Sequence, residues 1–97
     1  MEDIIYFNNL YDLYGSLLTE KQKGYFEDYY FSNLSLSEMA ENYNVSRNAI
    51  FRQIHIVTDK LEDYEKKLHL YERNQKIIHL ISQISDQEVR MKIEKLL

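Results

Sequence analysis

LSLSEMAENYNVSRNAIFRQIHIVTDKL, residues 34–61, has the punctuation of two short helices joined by a tight turn. Ser35 and Glu38 form an S-x-x-E capping box, in which the hydroxyl and the carboxylate each satisfy a backbone N–H that the first turn of a helix leaves unpaired. Met39, Ala40 and Tyr43 follow at helical spacing. Asn44 then stands where a helix needs a residue able to enter the left-handed conformation, and it is the best non-glycine choice for that task. Val45 is expected to dip into the core, and Ser46 to cap a second helix. In that helix the apolar residues Ile50, Ile54, Val57 and Leu61 recur at steps of four, three and four, so one face is buried.

The other face is polar. Arg47, Asn48, Arg52, Gln53 and His55 point away from the apolar stripe, and all five donate hydrogen bonds, to phosphate or to base edges. Ala40 is small where the two helices cross. Together these features match a helix-turn-helix: a small residue at the crossing, a turn of three or four residues, and a second helix with a polar surface able to enter a major groove. An ordinary helical hairpin with a solvated polar face shares the same spacing.

The remainder of the chain sets bounds. With 97 residues, no proline, two glycines and 44% hydrophobic residues, the sequence reads as all-α, a small helical bundle. One domain over residues 1–97 is expected, with the helix-turn-helix at about 35–61 and a helical extension at about 62–97. The absence of cysteine rules out disulfides and thiolate zinc sites, which agrees with a reducing cytosol. No apolar run is long enough for a signal peptide or membrane span, so a soluble, cytoplasmic protein is expected. Net charge is −4, and all of the excess lies in residues 1–34, which hold six acids and two bases. Residues 35–61 hold three of each. The motif is therefore neutral, and its affinity for DNA is expected to be modest and strongly salt-dependent.

Outward from the motif, Ile4, Phe7, Tyr11, Tyr14 and Leu18 predict a core helix over residues 3–18, with Ile5, Leu10 and Leu17 widening its stripe. Gly15 predicts fraying or close packing near its end. Thr19 and Gln22 form a T-x-x-Q capping box for a helix carrying Tyr25, Phe26, Tyr29 and Tyr30. Six of the nine tyrosines precede residue 34; register with aliphatic neighbours assigns most to the core, although such a cluster also suits a base or a protein partner. Past Leu61 no glycine or proline interrupts the chain, so the second motif helix is expected to run on to about Lys76. Leu61, Tyr64, Leu68, Tyr71 and Ile78 would then form a seam that packs on the first helix or on a second copy in a homodimer. Glu62 with Lys66, Asp63 with Lys67, and Glu72 with Lys76 are favourable i,i+4 pairs on solvated faces. Ser85 and Glu88 predict the start of a last short helix containing Val89, Ile93 and Leu96.

No catalytic constellation is present. His55, His69 and His79 lack the H-E-x-x-H spacing of a metal site, and there is no glycine-rich phosphate loop. Adjacent carboxylates such as Glu62 and Asp63 do not face each other across a cleft. No catalytic, metal or cofactor-binding residue is expected, and an enzyme is disfavoured.

LLTEKQKGYFEDYYFSNLSLSEMAENYNVSRNAIF, residues 17–51, followed by KLEDYEKKL, resembles the YlxM-like family of small bacterial helix-turn-helix proteins, from about Asp3 to Leu70. That family resembles region 4 of bacterial sigma factors, which reads promoter DNA with the second motif helix. The resemblance implies a DNA-facing role for Ser46, Arg47, Asn48, Arg52 and His55. It also implies an association with the signal recognition particle pathway. Where such proteins commonly have basic residues around NIKR, this chain has Gln53, Ile54, His55 and Ile56, which lowers phosphate attraction and exposes an apolar side chain. The leading expectation is a regulatory protein that contacts duplex DNA. The alternative is a protein-interaction module whose acidic, tyrosine-rich first third meets signal recognition particle components.

Overall fold

Asp3 opens the first helix, its side chain accepting a hydrogen bond from Tyr6 N at 3.0 Å. In the computed structural model, which describes residues 3–97, this helix is α1, Ile4–Tyr14. It ends four residues earlier than the apolar spacing suggests, because Gly15–Leu17 tightens into a 3-10 turn. Close packing explains the glycine there: a Cβ on Gly15 would lie 3.0 Å from the Tyr11 ring. The buried stripe is also narrower than expected. Phe7, Leu10, Tyr14 and Leu18 are buried, whereas Ile4, Ile5 and Leu17 face solvent.

Thr19 starts α2, Glu20–Phe26, with both halves of the predicted capping box formed. The helix then widens into a π-helical stretch, Glu27–Phe31, closed by Ser32 N donating to Glu27 O at 2.9 Å. Tyr30 stacks there on Phe26, with ring centroids 4.5 Å apart. The helices α3, Leu36–Tyr43, and α4, Arg47–Leu68, complete the part of the fold that encloses the core. Phe7, Leu10, Tyr14, Phe26, Met39, Ile50, Ile54, Val57 and Leu61 meet in one cluster. Each fully buried aliphatic or aromatic side chain contributes about 1.5–3 kcal/mol relative to an exposed one. Among the described residues every regular element is helical, as the composition predicts.

Beyond α4 the expected continuous helix is broken. His69 adopts φ 55°, ψ 29°, the left-handed region, and the chain restarts as α5, Leu70–Ile81. The seam is split with it. Tyr64 and Tyr71 pack against the chain's own core, and Tyr71 meets Tyr6 edge-on at 5.3 Å. Leu68 and Ile78 are left 51% and 47% exposed. The pairs Asp63–Lys67 and Glu72–Lys76 form at 2.8 and 3.3 Å. The last helix, α6, Gln87–Glu94, is capped by Asp86 rather than Ser85: Asp86 Oδ1 accepts from Val89 N at 3.1 Å. Aspartate caps as well as serine does, so the helix starts one residue later than the S-x-x-E pattern implies.

Candidate nucleic-acid interface

The turn between α3 and α4 is built almost entirely from neighbours in sequence. Ser35 Oγ accepts from Glu38 N, and Glu38 Oε1 from Ser35 N, both at 3.0 Å, which holds the Glu38 carboxyl below its ordinary range. At the other end of α3, Asn44 takes φ 55°, ψ 47°; its N–H donates to Glu41 O at 3.2 Å and that of Val45 to Ala40 O at 3.0 Å. These are the paired bonds of a left-handed helix stop. Val45, expected in the core, is exposed instead, because the same reversal carries it outward. Ser46 Oγ then accepts from Ala49 N at 3.1 Å and starts α4.

Two side-chain contacts from outside the motif fix α3. Tyr43 OH donates to Asp28 Oδ2 at 2.6 Å, and its ring lies 4.8 Å from that of Tyr25. Burial, with the Asp28 bond, pushes the Tyr43 hydroxyl up to about 12. Gly24 makes room for this: a Cβ there would stand 3.2 Å from the Tyr43 oxygen.

With α3 fixed, α4 buries Ile50, Ile54, Val57 and Leu61 and turns its other side to solvent. Ser46, Arg47, Asn48, Arg52 and His55 are all exposed. Gln53 is only half exposed, since it lies on the flank of the helix rather than on its outer face. Arg47 also borders a shallow hollow lined by Tyr29, Asn33, Leu36 and Glu38. Among the described residues the ion pairs engage lysines and His69, and Arg47 and Arg52 find no carboxylate partner there.

One residue of this surface was not singled out by the sequence reading. Phe51 is 42% exposed, and its ring meets that of His55 edge-on, with centroids 4.6 Å apart. The signal was available: Phe51 is one turn from both Arg47 and His55, so it shares their side of the helix. Ile56 is exposed on the opposite flank.

The far end of α4 holds a second polar cluster. Glu65 is only 9% exposed, and its oxygens accept from Tyr14 OH at 2.7 Å, Tyr71 N at 3.0 Å and Glu72 N at 3.1 Å. Tyr14 OH in turn accepts from Leu70 N at 3.1 Å. Three backbone donors at the start of α5 are thereby satisfied by side chains, two of them by a carboxylate placed where the helix dipole favours negative charge. Burial drives the Glu65 carboxyl up, but the bonds from Tyr14, Tyr71 and Glu72 and the nearby His69 outweigh it and hold the group below its ordinary value. Burial and the same bond raise the Tyr14 hydroxyl. Glu65, His69 and Glu72 bring ligand atoms within 4.8 Å of one another. Their observed chemistry is that of a helix cap: the Glu65 oxygens are committed to backbone donors, and His69 Nδ1 lies 3.2 Å from Glu72.

Against known proteins, residues 1–97 match the family model UPF0122, described as "Putative helix-turn-helix protein, YlxM / p13 like". A UPF0122 protein of Geobacillus sp. (strain WCH70) is 43% identical over 86 residues, which is 89% of this chain and 78% of the relative. For a UPF0122 protein of Staphylococcus aureus (strain MRSA252), identity is 52% over 65 residues, 67% of this chain and 59% of the relative. The corresponding protein of Staphylococcus epidermidis (strain ATCC 12228 / FDA PCI 1200) is 51% identical over 69 residues, 71% of this chain and 63% of the relative. The match thus spans less than two thirds of the length of both staphylococcal relatives.

Proposed function

The chain belongs to the UPF0122 family of YlxM/p13-like helix-turn-helix proteins, and on that premise we propose that it is a non-enzymatic regulatory protein that contacts duplex DNA through the outer face of α4. The observation that carries this reading is the division of one helix into two faces. Ile50, Ile54 and Val57 are at most 1% exposed, while Arg47, Asn48, Arg52 and His55 stand in solvent without a carboxylate partner among the described residues. Arg47 and Arg52 meet phosphate or guanine, Asn48 reads a base edge, Ser46 serves as cap and phosphate donor, and His55 contacts the end of the surface. Gln53, on the flank, is the weakest of the proposed readers.

Duplex binding measured at several salt concentrations tests this. Arg52→Ala is expected to lower affinity and to reduce the salt slope by about one unit if Arg52 meets phosphate. Affinity unchanged in the Arg47→Ala, Arg52→Ala double variant would remove α4 as the contact surface.

Two observations favour a second reading, a protein-interaction module. The acidic excess lies in residues 1–34, with Asp12, Glu20 and Glu27 exposed, and α6 has no buried residue while Leu80, Val89 and Met91 face solvent. The family resemblance points to components of the signal recognition particle pathway as the basic partner, and the uncovered α5 and α6 side chains suit a homodimer. A binding assay offering duplex DNA and particle components side by side, with the protein's mass followed across concentration, separates these readings. Among the described residues no helix is long and apolar enough to cross a membrane.

A further inference from the structure

The solvent side of α4 is not uniformly polar: Ile56 is exposed on one flank, and Phe51 stands among the hydrogen-bond donors. Its neighbours on that side are Arg47 and Asn48 one turn before, Arg52 beside it, and His55 one turn after. The core beneath is already filled by Ile50 and Ile54, at 0% and 1% exposure, so the ring is not needed there for packing. Instead it stands 42% exposed and is braced edge-on by His55, with 68° between the two planes. An aromatic side chain held outward among hydrogen-bond donors needs an apolar target on whatever those donors recognise. Base edges in the major groove offer one such group, the C5-methyl of thymine; the other readable features there are donors and acceptors.

Resting on the reading of α4 as a DNA-contacting helix, we propose that Phe51 is a thymine reader. Its ring, braced by His55, packs on the C5-methyl group of a thymine next to the bases met by Asn48 and Arg52. The ligand is then a duplex in which thymine is selected for its methyl group, not only for its pairing pattern. His55 acts here through the Phe51 ring as a positioning residue, in addition to any polar contact of its own.

Replacing thymine by uracil removes that methyl and leaves every hydrogen-bonding group of the base pair in place. The full chain is therefore offered two duplex pools carrying the same random region, one synthesised with thymidine and the other with deoxyuridine, at low salt. The wild type is expected to retain the thymine pool about fourfold better, the effect of one methyl group removed from water. Phe51→Leu keeps the preference, whereas Phe51→Ala abolishes it, the thymine pool falling to the retention of the uracil pool. Equal retention of both pools by the wild type overturns the proposal and leaves DNA contact standing, and this comparison needs no variant to fold. Phe51→Ala weakening both pools alike also overturns it, by making the ring a general contact. Retention of neither pool removes the DNA reading itself, and Phe51 as a thymine reader with it.

Discussion

At its start α4 is capped by Ser46, whose hydroxyl reaches an amide three residues on; at its end the chain is held by Tyr14, which bonds Glu65 and Leu70 across 51 and 56 residues of sequence. The front end is capped by its own neighbours, and the side chains of Arg47, Asn48, Arg52 and His55 are left exposed to solvent. The rear end consumes what it has. Glu65 and Tyr14 satisfy one another and three amides of α5, leaving a closed polar lock around a reversal at His69. One helix therefore carries an open surface and a sealed joint, and the two respond to substitution in different ways.

Breaking the sealed end has the largest expected effect. Glu65→Ala strands the Tyr14 hydroxyl and two amides in a mostly buried site, and should lower stability by about 3 kcal/mol in urea unfolding. Hydrogen exchange should show α5 and α6 losing protection before the other helices do. Tyr14→Phe, which leaves Glu65 with its amide donors, should cost less, about 1–2 kcal/mol. The lock also has a pH signature. Because the Glu65 carboxyl is held below its ordinary value, its contribution is fully present above that value and is lost as pH falls through the lower folded value. Glu65→Gln should remove this part of the acid limb of the stability profile; an acid limb identical to that of the wild type would show that Glu65 does not titrate with folding.

Opening the front end is a smaller change. Ser46→Ala should cost about 1 kcal/mol, the usual loss of an N-cap, and leave the exchange protection of α5 untouched. If both ends lost protection together, the contrast between a local start and a long-range finish would fail. The smallest effect sharpens the comparison from the other side. His69→Gly should stabilise by about 0.5–1 kcal/mol, since φ 55° is strained for histidine and free for glycine; a loss of stability would mean that the His69–Glu72 contact outweighs the backbone strain.

The same division governs what the sequence made legible. The Thr19 and Ser35 capping boxes, the left-handed Asn44, the Ser46 cap and the buried face of α4 are local features found as the residue pattern predicts, whereas the Ser85 box gives way to a cap by Asp86. Of the six proposed contact residues, five lie exposed as expected, and Gln53 drifts to a flank because 100° per residue carries it off the outer face. Phe51 is not marked by the pattern of hydrogen-bond donors, because it is an apolar residue that points outward. The helix expected to continue to about Lys76 is instead broken at His69. Nothing in KKLHLYE marks a stop, and the heptad-like spacing of Leu61, Tyr64, Leu68 and Tyr71 argues for continuation.

By itself the sequence determined the helical class, the helix-turn-helix and the polar outer surface of its second helix, because those depend on contacts within one or two turns. Only the tertiary structure decided that α4 ends at Leu68 and that α5 turns back toward α1. The physical reason lies in Glu65 and Tyr14. A buried carboxylate and a hydroxyl brought from the first helix supply the unpaired amides of a new helix start, and that makes a left-handed histidine more favourable than the straight rod the local pattern prefers.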